Sequence, residues 1–174
     1  AVTSSPAVLT VNTPVTIASA PGAQSVLAGA NASFTIVATG TPAPTYQWQR
    51  RPAGVGLFSG LANDATYSGV TNATLTVAAT TVAMRGDQFQ CVVTNGIGLP
   101  VVSTPVSLTV NAPPVITSAS NAIFTVTRAG SFIVTATGAP TPTFAVIGGA
   151  LPSWASLDSV TGVLSGTAPD AAGS

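Results

Sequence analysis

Ser33-Phe34-Thr35-Ile36-Val37-Ala38-Thr39-Gly40-Thr41-Pro42-Ala43-Pro44-Thr45-Tyr46 returns later in the chain as Ser131-Phe132-Ile133-Val134-Thr135-Ala136-Thr137-Gly138-Ala139-Pro140-Thr141-Pro142-Thr143-Phe144. A second echo sets the phase of the repeat: Ser5-Pro6-Ala7-Val8-Leu9-Thr10-Val11-Asn12 matches Thr104-Pro105-Val106-Ser107-Leu108-Thr109-Val110-Asn111. Repeats of about 100 residues are whole domains rather than solenoid turns, so the chain reads as part of an array of beads. It opens on what is, one repeat later, the last strand of a domain.

Around these echoes, apolar residues alternate with small polar ones, and Gly or Pro breaks the pattern at short intervals, the mark of half-buried strands in a sandwich. Phe34, Ile36 and Ala38 fall on one strand face, Thr35 and Val37 on the other. Leu75 and Val77, then Phe89, Cys91 and Val93, then Val106, Leu108 and Val110 repeat the inward set. No segment carries a helical stripe. The fold class is all-β. Residues 13–111 read as a complete domain, 1–12 as the final strand of a preceding or neighbouring one, and 112–174 as a domain lacking its last strands. Asn111-Ala112-Pro113-Pro114 is expected to be a short, stiff linker, because two prolines lack ladder donors.

Charge narrows the function. Four Arg (Arg50, Arg51, Arg85, Arg128) and four Asp (Asp64, Asp87, Asp158, Asp170) are the only charged side chains, with no Lys, Glu or His. A neutral, charge-poor surface has no counterion-release drive toward nucleic acid and no basic patch for anionic lipid. Thr, Ser, Gly or Pro interrupts every apolar run well short of a membrane span. No signal peptide is legible, so an export signal is expected outside this chain. The Thr, Ser, Gly and Ala-rich β composition points to an exported bacterial protein, at the cell surface or beyond it.

At Trp48 the pattern meets a family. Gly40-x-Pro42-x-Pro44-x-x-x-Trp48, followed by Asp87-x-Phe89-x-Cys91-x-Val93-x-Asn95 and Thr104 to Val110, resembles an immunoglobulin domain of the intermediate set, as in bacterial surface proteins. In that family a core Trp packs on a disulfide joining two strands. Here Cys91 holds one half-cystine position and Ile36 the other, so the resemblance implies a core without the bridge. Phe89 stands at the tyrosine-corner position and lacks the hydroxyl. Leu151-Pro152-Ser153-Trp154-x-x-Leu157-Asp158-x-x-Thr161-Gly162-Val163-Leu164-Ser165-Gly166-Thr167-x-Pro169 is similar to the cadherin-like repeats, of the Ig and dystroglycan type, that large adhesins carry in series. The two resemblances imply tandem Ig-like β-sandwiches with Ile36, Trp48, Phe89, Cys91 and Trp154 in their cores.

Chemistry is scarce. Ser-His-Asp, Cys-His, Schiff-base lysine and His-based metal sites each lack a member, and without Lys no isopeptide cross-link can form. Asp158 and Asp170 are formally a carboxylate pair, but Asp158 precedes Thr161-Gly162, where an Asp bonds the turn backbone. Four scattered Asp do not assemble the oxygens that calcium needs. Arg85-Gly86-Asp87 spells an integrin-binding tripeptide but reads as the turn into a strand. Arg50-Arg51 is expected as a solvated strand edge. Asn31-Ala32-Ser33 and Asn72-Ala73-Thr74 fit the glycosylation sequon.

No catalytic, cofactor or metal site is therefore expected. The residues and the resemblance together predict a non-enzymatic extracellular module of a bacterial surface fibre, filament or adhesin stalk, whose partners are neighbouring Ig-like domains or other copies. The alternatives are a carbohydrate- or protein-binding module, or a spacer in a secreted polysaccharide-degrading enzyme. Ala7, Leu9 and Val11, set inward like Val106, Leu108 and Val110, mark a strand able to complete an unfinished domain, through continuity of a longer polypeptide or from another copy.

Overall fold

The computed structural model describes residue 3 and residues 5–170. The chain divides into two compact units, Ala1–Asn111 and Ala112–Ser174. Its strands in order are β1 (Thr13–Ser19), β2 (Gln24–Leu27), β3 (Ala32–Thr35), β4 (Val37–Thr41), β5 (Thr45–Arg51), β6 (Ser59–Gly60), β7 (Tyr67–Ser68), β8 (Thr74–Val77), β9 (Gln88–Thr94), β10 (Val101–Val102) and β11 (Val106–Ile116). The second unit adds β12 (Ala129–Ile133), β13 (Ala136–Ala139), β14 (Ala155–Leu157) and β15 (Val163–Thr167). A single turn of 3-10 helix, Val82–Met84, precedes β9.

In the first unit, β3, β8 and β7 form one antiparallel sheet. The facing sheet runs from β11 through β9 and β5 to β6, with β2 parallel on β11 and β10 on β9. Strand alternation explains why the sheets close on each other. Phe34 points in from β3, Leu75 and Val77 from β8, Phe89, Cys91 and Val93 from β9, and Leu108 and Val110 from β11; all eight are fully buried. Trp48 on β5 stands opposite Cys91 in the β5–β9 register. Its indole nitrogen donates to the Asn72 carbonyl at 2.9 Å, which satisfies the one polar atom of a buried ring. Phe34 stacks on Phe89 with centroids 4.8 Å apart.

In the second unit, β12, β15 and β14 form an antiparallel sheet that repeats the β3–β8–β7 arrangement. The end of β11 pairs with β13, matching Ala112 to Ala139 and Ile116 to Ala136. This ribbon repeats that of β1 and β4, down to a register shift near the start of each pair.

One expectation needs correction. Asn111-Ala112-Pro113-Pro114 is no linker: Asn111 still pairs with Leu27, and Ala112 already pairs with Ala139. The prolines stay inside β11 because they fall in the register shift between Ala112 and Val115, where ladder donors are not required. Residues 5–12 pair with no strand of this chain and are exposed. The rest of the expected 1–12 strand includes residues 1, 2 and 4, outside the described residues, as are 171–174.

Candidate functional site

Cys91 is a free, buried thiol on β9. Burial pushes it up to about 11, which keeps it protonated and poorly nucleophilic. Ile36, at the position where the resemblance leads one to look for a second cysteine, is buried in the same cluster. Its amide donates to the Ala73 carbonyl at 2.9 Å, prolonging the β3–β8 ladder past Thr35. Ser103 is buried beside them, and its hydroxyl accepts from the Cys91 amide at 3.0 Å.

The strongest electrostatic feature is an ion pair that the sequence reading missed. Arg50 Nη2 lies 2.7 Å from Asp87 Oδ2, and the carboxylate's other oxygen accepts from the Ala53 amide at 3.0 Å. Two corrections follow. Arg50-Arg51 is not a solvated edge, because β9 flanks β5 on one side and β6 pairs with Gln49 and Arg50 on the other. The Asp of Arg85-Gly86-Asp87 is buried, while Arg85 donates to the Val110 carbonyl and the Asn111 side chain, so the tripeptide is not offered to an incoming protein. A usable signal existed. Asp87 and Arg50 each sit two residues from a core aromatic, Phe89 and Trp48, on strands that the fold pairs.

Beside this pair, Arg51 hydrogen-bonds Gln88 and lies 4.9 Å from the centre of the Phe58 ring. A shallow hollow of about 330 Å³ opens there, lined by Arg51, Pro52, Val55 and Gln88 among others. It contains no buried unpaired polar group that would orient a small ligand.

In the second unit, Asp158 accepts from the amides of Val160 at 2.8 Å and Thr161 at 2.9 Å. These bonds hold its carboxyl below the usual range and commit it to the turn. Trp154 departs from its expected core position: it is half-buried and packs edge-on against Phe124 at 5.3 Å. Among the described residues of the second unit, no opposing sheet covers this ring in the way the β3–β8–β7 sheet covers Trp48. Ala7, Leu9 and Val11 are exposed and touch no core. Among the described residues, no three His, Cys, Asp or Glu side chains gather to hold a metal, and no helix is long and apolar enough to cross a membrane.

Two family models match. The one described as "Immunoglobulin I-set domain" covers residues 15–110, and the one described as "Putative Ig domain" covers residues 104–174. Endoglucanase C of Cellulomonas fimi is 44% identical over 93 residues, which is 53% of this chain and 8% of that protein. The chain thus spans under a tenth of the length of this relative. Among solved structures, the N-terminal four Ig domains of Dscam1 isoform 9.44 (with zinc) match 94% of this chain and 41% of theirs, with TM-score 0.67 and 19% identity. The N-terminal eight Ig domains of DSCAM isoform 1.30.30 match 78% of this chain and 17% of theirs, with TM-score 0.65 and 20% identity. At such identities the likeness concerns the fold alone.

Proposed function

Because the chain belongs to the immunoglobulin I-set family, we propose that it is a non-enzymatic structural module of a bacterial extracellular protein, a segment of a surface fibre, filament or stalk. The observation that carries this reading is how the few reactive groups are used. Asp87 is held by Arg50, Asp158 by its turn, and Cys91 by the core. A general acid or base needs a proton-transferring atom free to meet a substrate, and a nucleophile needs an activating base within reach. These groups are spent on folding instead.

A second reading is favoured by the stretch shared with Endoglucanase C: the module would act as a spacer beside a polysaccharide-degrading catalytic domain carried elsewhere in the polypeptide. Both readings make the domains structural, and they differ in what lies next to them.

One experiment tests the common claim. The purified chain is incubated with soluble and insoluble cellulose, and released reducing ends and protein retained on the solid are measured. No release and no retention are expected. Hydrolysis lost in Asp158→Asn or Asp170→Asn would overturn the non-enzymatic reading, and firm retention would replace it with a carbohydrate-binding module.

A further inference from the structure

Asn95-Gly96 is the only Asn-Gly dipeptide of the chain, and it follows β9 directly. Both hydrogens of the Asn95 carboxamide are spent on main-chain carbonyls from distant segments. Nδ2 donates to Thr13, the first residue of β1, at 2.8 Å, and to Pro42, just past β4, at 3.0 Å. Oδ1 accepts from the Ile97 amide at 3.1 Å, closing an Asx turn. Only this orientation of the carboxamide satisfies all three partners. One side chain therefore ties both strands of the β1–β4 ribbon to the turn after β9. The packing is close: a Cβ added at Gly40, on β4, would stand 2.8 Å from Asn95 Nδ2.

Asn-Gly is also the dipeptide in which an asparagine side chain reacts most readily with its own backbone, because glycine has no Cβ to hinder the approach. The Gly96 main-chain nitrogen attacks Asn95 Cγ; the N–Cγ bond forms and the Cγ–Nδ2 bond breaks. The proton lost by Gly96 leaves with the carboxamide nitrogen as ammonia, and a cyclic imide remains. Water then opens the imide. Cleavage at Cγ yields Asp, and cleavage at the main-chain carbonyl carbon of residue 95 yields isoaspartate, with no oxidant or reductant involved. The closed fold opposes this reaction. Nδ2 must abandon both carbonyls to depart, and the Oδ1 bond to Ile97 fixes the rotation of the carboxamide. The Gly96 amide is itself engaged, donating to Thr94 Oγ1 at 3.3 Å.

We propose that Asn95 is a modification site guarded by the fold: deamidation is suppressed while the first unit is closed and, once it occurs, unfastens β1 permanently. Asp at this position keeps the acceptor that Ile97 uses but has no hydrogen to give. Its other oxygen faces the Thr13 and Pro42 carbonyls, acceptors set against an anion with no donor among them. Isoaspartate adds a carbon to the main chain of the turn and carries its carboxylate away from the clamp. Because ammonia is lost, reclosing does not restore the bonds.

The test uses the whole chain, held in mildly alkaline buffer with and without urea. The peptide containing Asn95 is followed by mass spectrometry, with its Asp and isoaspartate forms separated by chromatography. Since the clamp must open before attack, deamidation at Asn95 is expected to be at least about tenfold slower in the native protein than in urea. In urea, Asn95 should react ahead of Asn31, Asn72 and Asn111, each followed by Ala, and Gly96→Ala should remove its lead. Asn95→Asp reads the consequence: amide hydrogen exchange is expected to lose protection in β1 and β4 while β5 and β8 keep theirs. Asn95→Ala, which removes the donors without bringing a charge, gives the same readout in milder form and serves where Asn95→Asp does not fold. Equal rates with and without urea, or an Asn95 no faster in urea than the Asn-Ala sites, would overturn the guarded site. Native protection of β1 and β4 in the substituted chains would overturn the clamp.

Discussion

Arg50 and Asp87 form an ion pair across the β5–β9 boundary, in which the carboxylate side chain is 1% exposed and the guanidinium side chain 28% exposed. The asymmetry predicts unequal consequences when each partner is removed. Arg50→Met keeps the apolar stem and leaves a buried carboxylate without its counter-charge, an arrangement that costs about 3 kcal/mol. Asp87→Ala leaves a cation that water can still reach, together with one unpaired amide at Ala53, for about 1 to 2 kcal/mol. Urea unfolding of the two variants measures the difference, and equal losses would contradict this account.

Cys91 is expected to resist a bulky thiol reagent in the native protein at neutral pH and to react at once in urea, because its sulfur is buried and protonated. The pH dependence follows from the direction of the shift. The folded thiol is raised from 9.0 to about 11, so burial of its neutral form contributes fully below 9.0, and the contribution is lost as pH climbs toward 11. Tyr67, also raised by burial, adds to the alkaline decline. The comparison that isolates Cys91 is therefore native protein against Cys91→Ala. The variant should lose about 1 to 2 kcal/mol at neutral pH through lost packing and show a shallower alkaline decline.

Ser103 is expected to matter out of proportion to its size. It is buried, its hydroxyl accepts from the Cys91 amide, and its own amide donates to the Cys91 carbonyl at 2.9 Å. Ser103→Ala keeps the second bond and orphans the Cys91 amide in the core, at a cost of about 1 to 3 kcal/mol. Thermal unfolding reads the loss directly, and a variant as stable as the native protein would show that another group satisfies that amide.

The first unit was legible because its signals agree. Alternation placed Phe34, Ile36, Phe89, Cys91 and Val93 on inward faces, and Trp48 marked the strand that crosses Cys91. Pairing of charges was harder to read, since Arg50 and Asp87 are distant in sequence and meet only through the β5–β9 register. The proline pair misled because a missing donor was read as the end of a ladder, whereas a register shift tolerates it. Trp154 misled for a different reason: a core motif predicts which face a ring takes, while its burial depends on a facing sheet.

Gly162 tests whether the turn motif of the second unit is required by geometry. Its φ of +71° lies in the left-handed region, and an added Cβ would collide with the Val134 carbonyl oxygen and stand 3.0 Å from the Phe144 ring. The same residue closes the Asp158 turn, donating to the Asp158 carbonyl at 2.9 Å, and its carbonyl takes the Val134 amide. Gly162→Ala must therefore strain the backbone and push β15 from the end of β12, and the loss should exceed about 1 kcal/mol. Amide hydrogen exchange separates this from a general effect. Protection should fall across β12, β14 and β15 while β3, β8 and β9 keep theirs, and unchanged exchange in β15 would show that the turn accepts a side chain there.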